Sequence, residues 1–437
     1  MIQSGITNFV SMLDNVMVGR VGTLQMSGVA IANEWVFIFS LCTFGCLSGA
    51  GIFGAQFYGK RDMEGMRDTF RFKLISGAVL GIIGILFLKF FGDWFIALYM
   101  TGDNSAEDMA LTATYARQYM DIIIWQLVPF VIVQLYASTL KETSETVKPM
   151  TASLIAVLVN LTGNYLLIYG KCGLPCLGVR GAAIATVAAR FVEMGYIVIW
   201  THSHKEKNEW IIGAYKSLRV PKELAKKIII KGTPLLLNEG LWSAGITVLN
   251  QSYAYRGLQV VAAMNICFTE VDVLNVVYLS LGSAVAILAG QLLGAGKLAE
   301  AKDFANKVLA FAIFIGAVVG VFMAALAGVF PRIYNTEEEV RHLATLFIIV
   351  FACSAPVSAY LNSSYFIIRS GGRTLITFLF DCVFIWTVSV PIARVLGHHT
   401  DMAILGILIC VQAADLIKCA TGHFMIKKEI WIRNIVS

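Results

Sequence analysis

The chain has 437 residues, of which 57% are apolar and 14% are charged. A soluble globular domain carries about 25% charged residues, so the composition excludes a soluble enzyme or binding domain and indicates an integral membrane protein. The formal net charge of +6 therefore predicts orientation in a bilayer, and we expect no nucleic-acid partner.

Twelve apolar runs, each long enough to cross a bilayer, follow one another along the chain. We predict helices at about 3–21, 27–58, 72–100, 115–140, 149–169, 178–201, 226–254, 261–293, 304–334, 342–368, 374–397 and 402–427. Backbone groups in hydrocarbon must bond within their own segment, and the runs are too long for barrel strands. The sequence therefore predicts an all-α polytopic membrane protein with twelve transmembrane helices.

Lysine and arginine residues are concentrated in alternate loops. The richest is the segment that begins at His202 and ends at Lys231, while acidic clusters such as Glu337–Glu339 fall in the opposite loops. Because cytoplasmic loops carry the excess of basic residues, we expect both termini to be cytoplasmic. No cleavable signal is visible, the first apolar run is short, and whether the natural start lies upstream stays open.

The two halves of the chain repeat. Ser48–Asp68 aligns with Ser283–Asp303 at one offset, which places Gln56 on Gln291 and Gly59 on Gly294. We expect the two glutamines, at the ends of their helices, to have hinge or packing roles.

Six helices separate the copies, so both copies have the same orientation across the membrane. This predicts an amino-terminal six-helix lobe (1–201), a cytoplasmic connector (202–227) and a carboxy-terminal six-helix lobe (228–437). A parallel repeat of this kind is typical of secondary transporters.

Asp14 stands within the first apolar run, in the stretch from Val10 to Gly22. A carboxylate at the centre of a membrane helix costs about 2.5 to 3.5 kcal/mol, so it rarely persists there without a function. The alternative is that Asp14 lies near a helix end and is simply hydrated.

Several segments resemble the multidrug and toxic compound extrusion (MATE) transporters of bacteria. They are Leu13–Gly22, Gly28–Asn33, Gly54–Gly59, Pro149–Gly170, Leu177–Thr186, Gly232–Pro234 and Asn238–Glu239. The resemblance extends from the first helix to the twelfth, and its main departure is the missing lead-in to the first helix.

The resemblance implies a cation or proton site in the amino-terminal lobe at Asp14, Asn160 and Asn164. The i, i+4 spacing puts the two asparagines on one helix face. Interhelical hydrogen bonding is the alternative role for this pair. Some relatives carry an acid where Asn164 stands, so a carboxylate pair is absent here.

In the carboxy-terminal lobe, the resemblance implies a coupling role for Glu239. The NorM-like branch adds an acid near the position of Ser358, where this chain has none, which argues against a NorM-type sodium site. Asp381 is a further polar cleft candidate, either replacing that acid or pairing with Arg369 or Arg373. Glu34 and Glu270 are related by the repeat and are candidates of the same kind, with a hydrated helix end as the alternative.

Substrate-cavity candidates are Met17, Trp35 and Trp242. Tryptophan can stack on flat cations, and methionine suits an adaptable wall. The alternative is that the tryptophans lie at the membrane interface or in the core.

Together these features predict a secondary active antiporter in the bacterial plasma membrane. It would export cationic or amphipathic small molecules in exchange for protons or sodium ions, by alternating access of two lobes. We expect a monomer in the lipid bilayer, without a cofactor and with no metal site other than sodium at Asp14. Whether Cys172 and Cys176 form a disulfide stays open.

Two alternative functions remain. A lipid-linked oligosaccharide flippase of the same superfamily would need cationic residues lining its cleft, and the basic residues are expected in the inner loops. A membrane-embedded enzyme would need a paired His and acid at a membrane surface, and none is evident. We therefore predict no enzymatic activity.

Overall fold

The computed structural model describes residues 17–100, 105–334 and 336–436, and every regular element in these ranges is helical. The long helices are α1 Thr23–Lys60, α2 Met63–Ala97, α3 Ala106–Glu142, α4 Val147–Tyr169, α5 Val179–Ser203, α6 Lys222–Ala254, α7 Leu258–Gly294, α8 Leu298–Leu326, α9 Glu338–Ser370, α10 Thr374–His399 and α11 Ile404–Lys427. They match the second to the twelfth predicted helices in order. The first predicted helix, with Asp14, lies almost wholly outside the described residues.

Ten described helical segments are long and apolar enough to cross a membrane. Helix α6 is not among them, because its first turns carry lysines and its middle carries Asn238 and Glu239. The prediction of an all-helical polytopic membrane protein is confirmed, and the eleven long helices of the described residues are consistent with twelve helices in two lobes.

The helices divide into two compact units. Among the described residues, the amino-terminal unit comprises 17–54 and Met63–Lys226, and the carboxy-terminal unit comprises Ala55–Asp62 and the residues from Lys227 onward. The last turns of α1 thus group with the second half of the chain. The predicted lobes were drawn as continuous segments and do not include this exchange.

Within the carboxy-terminal unit, the ends of α1 and α7 approach so closely that only glycine fits. A Cβ on Gly59 would lie 1.9 Å from the carbonyl oxygen of Gln291, and a Cβ on Gly294 would lie 1.9 Å from that of Gln56. The contact is reciprocal, since Gly59 meets Gln291 and Gly294 meets Gln56. The sequence repeat relates Gly59 to Gly294 and Gln56 to Gln291.

The last residues of the chain pack beside this crossing. Gln56 is fully buried, and its amide donates to the carbonyls of Ser370 (3.0 Å) and Arg433 (3.2 Å). Its side-chain oxygen accepts a hydrogen bond of 2.8 Å from the backbone N–H of Ile435, and Trp431 is only 1% exposed. Gln56 therefore has a packing role, as its position at the helix end predicts.

Replacing Gly59 by Ala is expected to lower stability by about 1 to 3 kcal/mol, because the new methyl group meets a backbone oxygen that has no rotamer to change. The measurement is the midpoint of thermal unfolding of the purified protein in detergent. Gly81→Ala is the matched control, since a Cβ there meets nothing within 4 Å, and it should be neutral or stabilise by up to about 1 kcal/mol. Equal midpoints for the two variants would contradict the close crossing.

The predicted connector packs on the amino-terminal unit. Trp210 is 1% exposed and its ring lies 4.9 Å from that of Phe70. The Arg71 guanidinium donates to the carbonyls of Gly213 and Ala214, both at 2.9 Å. This segment is therefore an ordered part of the unit.

Candidate functional site

A cavity of about 570 Å³ lies inside the amino-terminal unit. We call it the amino-terminal cavity. Helices α1, α3, α4 and α5 contribute its walls, together with Val18. Its polar lining residues are Asn33, Ser40, Tyr119, Gln126, Gln134, Ser153, Asn160, Asn164, Thr186, Arg190 and Glu193. Such a concentration of polar groups within membrane-length helices is expensive to bury, so the cavity is a candidate binding region.

Two of the predicted site residues line this cavity together. Asn160 and Asn164 are 7% and 1% exposed, and the Asn164 amide donates to the Asn160 side-chain oxygen at 3.2 Å. The Asn160 amide in turn donates to the Thr186 hydroxyl at 3.1 Å. Amide and hydroxyl oxygens of this kind suit a hard monovalent cation or a protonated acid. Asp14, their predicted partner, lies outside the described residues.

A buried carboxylate that the sequence reasoning missed stands in the same cavity. Glu193 is 2% exposed and accepts hydrogen bonds of 2.7 Å from the Ser153 hydroxyl and from the Arg190 guanidinium. The guanidinium also lies over the Phe130 ring, 5.5 Å from its centre. The signal was present, because an acid and an arginine three residues apart within an apolar run are rare unless they have a role.

The carboxy-terminal unit contains a second group of polar side chains, which we call the carboxy-terminal polar cluster. Its members are Asn238, Glu239, Tyr365, Arg369, Asp381 and Lys418. The Asp381 carboxylate accepts from the Lys418 ammonium (2.7 Å) and from the Asn238 amide (3.2 Å), and Asn238 lies 3.5 Å from the Tyr365 hydroxyl. Glu239 lies within electrostatic range of Arg369 and Asp381.

The ion-pair partner of Asp381 differs from the prediction. Pairing with Arg369 or Arg373 was one of two predicted alternatives, but the ion pair is formed with Lys418, and Arg373 donates to the carbonyl of Ile430 at 3.0 Å. The expectation that basic residues are confined to the inner loops is also wrong for Lys418 and Arg190. Both lie within helices, and each is compensated by an acid.

Irregular helix geometry positions this cluster. Helix α10 is π-helical at Leu379–Val383 and again at Ile385–Ser389, just before Pro391. Proline has no N–H and its ring clashes with the carbonyl four residues earlier, so a wider turn before it relieves the conflict. Asp381 lies in the first π-helical turn. Pro234, inside α6, precedes Asn238 by about one turn.

The repeat-related acids Glu34 and Glu270 have different environments. Glu34 is exposed, and burial together with the nearby Glu34 carboxylate raises the pKa of Tyr99, just beyond the end of α2. Glu270 is 4% exposed, and neither of its carboxylate oxygens forms a hydrogen bond within the described part of the chain. Glu34 is therefore exposed, whereas Glu270 lies in the core.

The predicted substrate-cavity residues lie elsewhere. Asn33 and Phe37 face the amino-terminal cavity, so Trp35, on the opposite side of α1, stacks on Phe87 with ring centres 4.3 Å apart. Met17 does not line the cavity, and its carbonyl accepts from the Tyr169 hydroxyl at 2.9 Å. Trp242 is 41% exposed. Cys172 and Cys176 are both free thiols.

Comparison with known proteins gives a match to the MatE family over residues 1–166 and 234–395. The probable multidrug resistance protein YoeA of Bacillus subtilis is 25% identical over 403 residues, which cover 90% of this chain and 84% of that protein. The probable multidrug resistance protein NorM of Oceanobacillus iheyensis is also 25% identical, and the match covers 97% of this chain and 94% of that protein.

Solved structures show the same fold. The crystal structure of the Vibrio cholerae MATE transporter VcmN in the bent form matches with a TM-score of 0.86 and 15% identity. The match covers 98% of this chain and 93% of that one. At this identity the likeness concerns the fold alone.

Proposed function

Because the chain belongs to the MatE family of transporters, we propose that it is a secondary active antiporter that exports cationic or amphipathic small molecules in exchange for protons or sodium ions. The observation that carries this proposal is the amino-terminal cavity, a space of about 570 Å³ with a polar lining inside membrane-length helices. The relatives named above as multidrug resistance proteins support the substrate class.

The cavity offers two kinds of contact. Val36, Phe37 and Phe130 supply apolar and aromatic walls for the body of a solute. Asn160 and Asn164, with Asp14 as their proposed partner, supply oxygen atoms for its charge or for the coupling ion. In the proposed cycle the acid is ionised when the solute binds from the cytoplasm, and a proton or sodium ion neutralises it on the other side.

We further propose alternating access of the two lobes in a bacterial plasma membrane, with both termini cytoplasmic. One charge that moves through a potential of 100 mV supplies about 2.3 kcal/mol, enough for roughly fifty-fold accumulation. A flippase for lipid-linked oligosaccharides is disfavoured, because the intramembrane cations Arg190 and Lys418 are already compensated by Glu193 and Asp381.

The test is efflux of a cationic dye from vesicles that contain the purified protein. We expect dye movement to follow an imposed sodium gradient or an imposed proton gradient. Replacing sodium by potassium at fixed pH, and varying pH at fixed sodium, separates the two coupling ions. Dye movement that responds to neither gradient would contradict antiport.

A further inference from the structure

We propose that Phe380, Asp381 and Phe384 form a binding site for an ammonium-type cation, and that the Lys418 side chain occupies this site until the transported cation displaces it. The transported cation would bind at this site in addition to the amino-terminal cavity, and the exchange rests on the proposed function only for the identity of that cation. The site itself is defined by side chains of α10 and α11.

Lys418 is held as an ammonium ligand would be held. Its nitrogen lies 2.7 Å from a carboxylate oxygen of Asp381, and 5.2 Å and 5.7 Å from the ring centres of Phe380 and Phe384. One carboxylate and two aromatic faces are the groups that bind ammonium ligands in proteins. The site is largely enclosed, because the side chains of Lys418 and Asp381 are 13% and 21% exposed.

Two further features of the site favour binding over mere packing. Asp381 lies in a π-helical turn, and such turns are frequent at functional sites. The Asn238 amide holds the other oxygen of this carboxylate at 3.2 Å, so the acid keeps its orientation when its cation changes. The fixed part of the site is therefore distinct from its exchangeable part.

Charge balance explains why an exchange is favoured over simple binding. An unpaired carboxylate among membrane helices is strongly unfavourable, and replacing one ammonium by another avoids that state. Lysine suits the exchange because its charge is carried on a flexible four-carbon stem. Asp415, one turn earlier on α11 and within electrostatic range of Lys418, provides a second acid for the displaced ammonium.

The first experiment fills the site from solution. Lys418→Ala removes three carbons and the ammonium, so n-propylammonium is the matching probe and 1-propanol is its neutral control. We expect n-propylammonium to raise the unfolding midpoint of purified Lys418→Ala in a saturable way, with no such effect on wild type or on Lys418→Ala/Asp381→Asn. An equal response of the single and double variants would overturn the site.

A variant that folds poorly is still informative. If Lys418→Ala is recovered as folded protein only when n-propylammonium is present, the site is supported. If Lys418→Ala is not recovered with n-propylammonium while Lys418→Ala/Asp381→Asn folds, the proposal is overturned, because n-propylammonium then does not bind the vacated site.

The second experiment tests the competition. A tethered ammonium acts at a high effective concentration, so its removal should tighten binding of ethidium by about tenfold or more. Lys418→Arg keeps the positive charge and should bind ethidium as wild type does. Unchanged ethidium affinity in Lys418→Ala would overturn the competition. Because both experiments measure binding, failure of the proposed export function would be seen separately, as a wild-type protein that binds ethidium but does not export it.

Discussion

Replacing Asp14 by Asn is expected to reduce dye efflux to the rate of vesicles without protein. Asparagine has nearly the shape of aspartate but cannot ionise, so it can neither release a proton nor neutralise a sodium ion. The amides of Asn160 and Asn164, which bond to each other and to Thr186, have no charge with which to replace it. The measurement is ethidium efflux from vesicles under the gradient found to drive the wild type.

The loss must be separated from misfolding. Removing a charge from an apolar helix lowers its insertion cost, so the variant should insert and unfold at the wild-type midpoint. Glu34→Gln is the matched control, since Glu34 is an acid of the same unit that is exposed, and its variant should retain efflux. Wild-type rates in Asp14→Asn would reject the assignment of Asp14 as the coupling acid.

The sequence predicted the helices well because hydrocarbon imposes a simple requirement on length and polarity. The large errors at helix starts fall in polar segments. Helix α2 begins at Met63, whereas the apolar run predicted a start near 72, and α8 begins at Leu298, whereas a start near 304 was predicted. These first turns continue the helix beyond the apolar run, carrying charged residues such as Glu64 and Glu300, so an apolar criterion cannot find them.

The candidate sites were predictable only in part. The pairing of Asn160 with Asn164 follows from helical spacing within one segment. The pairing of Asp381 with Lys418 joins positions 37 residues apart on two helices, and the π-helical turn that presents Asp381 has no evident sequence signal. A single sequence gives the register within a helix but not which faces of two helices meet.

The second large expected effect is a loss of stability on breaking a buried ion pair in the amino-terminal unit. Lys73 and Glu142 join α2 to α3, and their side chains are 0% and 5% exposed. The Lys73 ammonium lies 2.6 Å and 2.7 Å from the two oxygens of Glu142, and it also donates to the hydroxyls of Ser138 and Thr139. Each charge is thus compensated chiefly by the other.

Lys73→Met is expected to lower the free energy of unfolding by about 3 to 5 kcal/mol, because it leaves the Glu142 carboxylate buried without its partner. Lys73→Met/Glu142→Met removes both charges with unbranched chains of similar length. The double variant should recover most of the loss, since a buried pair contributes little net stability relative to apolar residues of the same volume. Thr139 keeps a hydrogen bond to the carbonyl of Leu135 in both variants.

The measurement is the unfolding midpoint of each purified protein, with Lys307→Met as the control for loss of a lysine. Lys307 pairs with Asp303 at 2.6 Å, but these side chains are 74% and 63% exposed, so the control should cost less than about 1 kcal/mol. If Lys73→Met lowered the unfolding midpoint no more than Lys307→Met does, the ion pair of Lys73 and Glu142 would have to be hydrated. If the double variant were as unstable as the single one, the loss would come from packing, because restoring charge balance would have had no effect.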